Sequence, residues 1–188
     1  MKHLPLKLTS LIFVVIFIFA AMLLFSQIFV IKDNNIKITD NNINSFKKCV
    51  KAGNPVMESY PRRCRANGKN FIENIGNELE KQDLIRISYP RPNQEIESPL
   101  IVRGGARGYW FFEGDFPIIL TNWDGLIIAE GYAMAKGEWM TEDFVEFEGK
   151  LEFKKPEVYN SGILILQKNN PSGLPEHDDA LEIPIIYN

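Results

Sequence analysis

Histidine and cysteine are scarce in this sequence, with two of each among 188 residues. His3 stands before a long apolar run and His177 lies near the C-terminal end. A single histidine with no cysteine beside it is not a zinc-ligand set. Ser172 precedes His177 by five residues, but nearness in sequence is not triad geometry. No G-x-S-x-G, H-E-x-x-H, phosphate-binding loop or dinucleotide-binding glycine pattern occurs. A surplus of basic charge is missing as well: the formal net charge is −3, whereas phosphate backbones call for clustered lysine and arginine. These absences lead to the expectation of a protein that is not an enzyme, holds no cofactor and no metal, and has no nucleic acid as its partner.

What is present begins with residues 8–31, LTSLIFVVIFIFAAMLLFSQIFVI, which carry no charge. At a rise of about 1.5 Å per residue a helix of that length reaches about 36 Å, enough for a bilayer core of roughly 30 Å. The run is longer than the apolar core of roughly 7–15 residues in a cleaved signal peptide, and Ala20-Ala21-Met22 and Ser26-Gln27-Ile28 make poor cleavage sites. No lipobox cysteine follows. The expectation is a transmembrane signal anchor over residues 1–31, left uncleaved. Lys2 and Lys7 precede the run, while Lys32 and Asp33 cancel each other after it. The positive-inside rule then places the N-terminus in the cytoplasm and the C-terminal part outside, on a single-pass protein of the cell membrane.

Residues 32–45 are rich in asparagine and aspartate, which turn and cap the backbone, and read as a linker. Residues 46–76 form a small module that holds both cysteines, Cys49 and Cys64. Outside the cytoplasm such a pair is expected to form a disulfide. Closing a loop of about 15 residues restricts the unfolded chain by about 3 kcal/mol, a useful staple for a module too short to bury a large core. Asn67-Gly68 marks a tight hairpin. Arg62, Arg63 and Arg65 read either as a solvated basic face or as a patch for an anionic partner. Residues 77–83 are a second linker.

From residue 84 the apolar period becomes two. Strands are expected at 84–89, 99–105, 115–123, 125–133, 144–154, 162–168 and 181–187, with turn residues between them. The segment 144–154 alternates most cleanly, with Val145, Phe147, Leu151 and Phe153 on one face and Glu146, Glu148, Lys150, Glu152 and Lys154 on the other. Seven strands without a helix predict a mainly β fold, a seven-stranded immunoglobulin-like β-sandwich over residues 84–188. Charge is segregated: residues 32–112 hold 14 basic and 9 acidic side chains, residues 113–188 hold 5 and 15.

Specific blocks carry a resemblance over residues 84–188. They are Ile87-Ser88-Tyr89-Pro90-Arg91-Pro92-Asn93, Ser98-Pro99-Leu100-Ile101-Val102-Arg103-Gly104, and Ala106-Arg107-Gly108-Tyr109-Trp110-Phe111-Phe112-Glu113. Gly137-Glu138-Trp139-Met140-Thr141-Glu142-Asp143-Phe144 and Asn170-Pro171-Ser172-Gly173-Leu174-Pro175 complete the set. The region resembles the bacterial spore-germination immunoglobulin-like domain family. The resemblance implies an extracytoplasmic sandwich, often on an anchored protein, and brings no catalytic residues. The pattern from Cys49 to Cys64, C-x3-G-N-P-V-M-E-S-Y-P-R-R-C, resembles a short two-cysteine module of small membrane-anchored bacterial proteins.

Tyr109, Trp110, Phe112 and Trp139 are the candidate binding residues. Three aromatics in a row, 110–112, must point at least one ring away from the core if the stretch is extended. Such rings either stack on a glycan or a partner's apolar anchor, or fill the sandwich core. The loops 106–114 and 169–179 are the expected recognition surface. Glu142, Asp143, Glu176, Asp178 and Asp179 read as solvated carboxylates, because a calcium loop needs several oxygens converging from a defined turn. The expected function is binding or scaffolding of another cell-envelope protein at the cell surface, with wall-polymer binding through exposed aromatics as the alternative.

Overall fold

The computed structural model describes residues 43–188. The apolar run 8–31, and with it the expected membrane anchor, lies outside the described residues. Among the described residues no helix is long and apolar enough to cross a membrane. The chain divides into two compact units: residues up to Glu58 with Arg62–Phe71, and Ser59–Pro61 with Ile72–Asn188.

The first unit starts with helix α1 (Phe46–Lys51), whose N-cap Ser45 accepts a hydrogen bond from Lys48 N through its side chain. Strands β1 (Val56–Met57), β2 (Arg63–Ala66) and β3 (Lys69–Ile72) follow and form one small sheet. Asn67 and Gly68 both take positive φ, 51° and 72°. Both central residues of a type I′ hairpin turn need that conformation, and asparagine and glycine adopt it at least cost. The Cys49–Cys64 disulfide joins α1 to β2. Both half-cystines are fully buried and, with Ala66, make up the core, against which Ile43, Phe46 and Phe71 pack.

The second unit holds the short helix α2 (Glu78–Lys81) and strands β4 (Ile85–Tyr89), β5 (Glu95–Ile96), β6 (Leu100–Arg107), β7 (Asp115–Asn122), β8 (Ile127–Ala135), β9 (Phe144–Leu151), β10 (Ser161–Gln167) and β11 (Ala180–Tyr187). The described residues therefore contain eleven strands rather than the seven expected. Three of the additional four belong to the first unit. The fourth, β5, is a two-residue segment between Pro92 and Pro99, too short to show a period.

The hydrogen-bonded order is β4-β6-β9-β8-β7-β10-β11-β5. Strands β8 and β9 share only three register pairs, Ala133 to Ala135 against Gly149 to Phe147. At that narrow joint the ladder folds over, and its two arms face each other. Phe116 on β7 meets Phe147 on β9 edge to face at 4.9 Å, and Phe153, just past β9, meets Tyr187 on β11 at 5.3 Å. These contacts join strands that are not ladder neighbours, as the two layers of an immunoglobulin-like sandwich require. The segment from β4 to β5 is shared between layers: β4 pairs antiparallel with β6, and β5 pairs parallel with β11.

The two outer faces differ. On β9, Glu146, Glu148 and Lys150 face outward, and Glu148 takes ion pairs from Arg103 at 2.6 Å and Lys136 at 2.9 Å. Those cations hold the exposed Glu148 carboxyl below its ordinary range. Strands β7 and β10 instead carry Pro117, Ile119, Ile163 and Ile165 outward, all half-buried.

A polar knot lies beside α2. Glu78 pairs with Arg91 at 2.6 Å and accepts a hydrogen bond from Tyr60 Oη, while Arg91 Nη2 donates to Tyr60 Oη at 2.8 Å. Burial raises the Glu78 pKa above the ordinary carboxylate value, and the nearby Arg91 charge and its hydrogen bond only partly oppose it. A carboxyl whose pKa is raised by folding adds stability below its unfolded value and loses that contribution as pH climbs through the folded value. Stability relative to a Glu78→Gln variant should therefore fall as pH rises above 4.5, checked by urea unfolding at several pH values. A flat difference would show that the carboxyl is not desolvated.

Candidate functional site

Three loops converge where β6, β8 and β10 end and β7, β9 and β11 begin. A 3-10 turn over Gly108–Trp110 follows β6 directly. Gly108 N donates to Asp143 O at 3.1 Å. A side chain on Gly108 would sit 1.9 Å from Thr141 O and 2.3 Å from Trp139 O, so only glycine lets the loops after β6 and β8 approach this closely. Ala135 N donates to Gly114 O at 2.8 Å. Arg107 Nη1 donates to Glu142 O at 3.2 Å, and its guanidinium stacks on Phe144 at 4.3 Å.

Asn169 ties the third loop in. Its backbone N–H donates to Trp110 O at 3.0 Å, and its side-chain amide reaches Asp115 Oδ1 at 3.2 Å and the carbonyls of Phe112 and Asp115 at 3.4 Å. Within that loop Asn170 Nδ2 bonds Leu174 O and Asp178 Oδ1, both at 2.8 Å. Loops 106–114 and 169–179, read separately from the sequence, are thus one structure.

The turn decides where the aromatics go. In an extended chain Trp110 and Phe112 would share a face. The 3-10 turn sends Trp110 and Phe111 into the core, at 0% and 4% exposure, and leaves Tyr109 at 50% and Phe112 at 42%. The expectation that Trp110 presents its ring to a ligand is thereby corrected: it is a core residue, and its indole N–H finds no partner among the described residues. Trp139 is half-buried and packs on the core, with its ring against Gly114. Met140, 75% exposed, and Leu174 complete the apolar part of this end. Nothing in the sequence singled out Asn169, because a half-buried clamp and a turn asparagine look alike there. Met140 stands between Trp139 and Thr141, and one exposed methionine in a loop carries no pattern that marks it in the sequence.

Carboxylates outnumber cations on these loops: Glu113, Asp115, Glu138, Glu142, Asp143, Glu176, Asp178 and Asp179 against Arg107, Lys136 and Lys168. Among the described residues no group of three or more histidine, cysteine, aspartate or glutamate side chains is placed to hold a metal ion. Asp179 is paired with Lys81 at 2.5 Å and Asp178 is held by Asn170. His177 lies in an exposed 3-10 turn with Pro175 and Glu176. The end is an apolar and acidic surface on a hydrogen-bonded frame.

In comparison with known proteins, residues 84–173 match the family model of the immunoglobulin-like domain of bacterial spore germination. The match covers the sandwich through β10 and into the loop that carries Leu174. Domains of this family are generally non-catalytic. No curated protein and no solved structure matches the chain.

Proposed function

We propose that this chain is a non-enzymatic, single-pass membrane protein that holds its immunoglobulin-like domain outside the cytoplasm to bind or scaffold another cell-envelope protein. The observation that carries the reading is the loop end itself. Tyr109 and Phe112 stay exposed on a loop tied by Asn169, Leu174 on one held by Asn170, and Met140 on one bonded through Asp143 O to Gly108 N, so the apolar groups are presented in a fixed arrangement. Exposed apolar groups on a rigid frame are what a binding surface needs, because little conformational entropy is lost on docking. The disulfide supports an oxidising compartment, and the uncharged run 8–31 supplies a length suited to an anchor.

The test is retention of a protein from detergent-solubilised membranes by the fragment 32–188 with its disulfide intact. Aromatic anchors at the centre of an interface commonly cost more than 1 kcal/mol each on truncation. Tyr109→Ala with Phe112→Ala is therefore expected to weaken capture by at least about tenfold. Capture that survives both changes would move the interface elsewhere.

A further inference from the structure

The opposite end of the sandwich carries an aromatic corner that the loop end does not explain. Trp123 and Tyr159 meet at 4.9 Å between ring centroids with their planes 79° apart. Both rings are more than half exposed, 52% and 57%. The corner is built on fixed backbone. Asn122 Oδ1 accepts from Asp124 N and Leu126 N, both at 2.9 Å, which locks the β7–β8 hairpin tip under Trp123. Asn122 is in register with Gly162 on β10, and Asn160 O accepts from Tyr187 N at 2.7 Å beside Tyr159.

We propose that this corner is a stacking site for a neutral sugar chain. An aromatic face binds the C–H face of a pyranose ring, and here the two rings brace each other edge to face while each keeps more than half of its surface open. The chemistry around the rings suits hydroxyl groups. Asp124 follows Trp123, Asn160 follows Tyr159 and Glu157 stands two residues before it, and all three side chains are exposed. Within four residues of either ring in the sequence the charges are Asp124 and Glu157 against Lys155, with no basic excess. An anionic wall polymer or anionic lipid surface would call for the opposite balance. The carboxylates instead offer acceptors to hydroxyls, and the rings offer area without charge.

The experiment titrates the full chain in detergent micelles with chitohexaose and with cellohexaose, following tryptophan emission and calorimetric heat. Saturable binding of at least one oligosaccharide is expected. It should weaken at least tenfold in Trp123→Ala and weaken in Tyr159→Ala. Because both rings lie on exposed loops, the thermal unfolding of the domain should be the same in both variants as in the wild type. No binding of either sugar, or binding indifferent to Trp123→Ala, overturns the proposal. A second measurement tests a lipid contact in place of a sugar. The chain is reconstituted into nanodiscs with brominated phosphatidylcholine, and Trp123 emission is taken as the difference from Trp123→Phe. Quenching of that emission would put the tip in the membrane and also overturn the proposal.

Discussion

Replacement of Cys49 and Cys64 together by serine is expected to unfold the first unit and leave the immunoglobulin-like domain with its own cooperative transition. The fully buried residues of the first unit are the half-cystines themselves and, nearly so, Ala66, with Ile43, Phe46 and Phe71 only partly covered. A core of that size returns little hydrophobic free energy against the cost of ordering the chain. The disulfide closes a loop with a sequence separation of 15 residues, a constraint worth about 3 kcal/mol in the chain-entropy account. That exceeds any margin so small a core can hold. The second unit has no cysteine and rests on a cluster running from Ile85 to Tyr187. Hydrogen exchange separates the two outcomes. Amides in α1 and β2 should lose protection in the double variant and in reduced wild type, while those of β6, β7, β9 and β10 keep it. Protection retained in α1 would mean that the turn and the cap at Ser45 hold the unit without the staple.

The sequence made the larger unit legible wherever a strand has one face in water. On β9 the alternation from Phe144 to Leu151 is clean because Glu146, Glu148 and Lys150 are solvated. Strands β7 and β10 were found as apolar runs bounded by turn residues, but Ile119, Ile163 and Ile165 face outward and blur the period. Strand β5 was missed because two residues have no period, and its pairing with β11 depends on where Pro90 to Gln94 carry the chain. At the loop end, Trp110, read as a ring offered to a ligand, is instead buried in the core. An alternation rule holds for extended backbone, whereas residues Gly108–Trp110 turn as a 3-10 helix. The Asn169 clamp spans more than fifty residues of sequence, 54 to Asp115 and 57 to Phe112, and only the folded register reveals it.

Trp110 makes the second large prediction. Trp110→Ala is expected to cost about 3–5 kcal/mol of stability, the range for emptying a large aromatic from a packed core. The indole is fully buried within the main cluster, and alanine leaves a cavity that rigid neighbours fill only in part. Trp110→Phe should cost much less than the alanine change. Its ring keeps most of the apolar contact, and it removes an indole N–H that has no partner among the described residues. A buried unpaired donor costs about 1–3 kcal/mol, which offsets part of the lost area. Urea unfolding of the two variants measures both effects, and the phenylalanine variant keeps the comparison possible should the alanine variant fail to fold. Equal, small costs for both would place the indole outside the core. The ordering Ala much worse than Phe has a consequence for binding assays. Loss of binding in Trp110→Ala then reports loss of the frame beneath the loops and says nothing about contact, whereas Tyr109 and Phe112 can be truncated at the surface with the frame intact. A binding defect that appears in Tyr109→Ala and Phe112→Ala but not in Trp110→Phe would place the contact on the exposed rings alone.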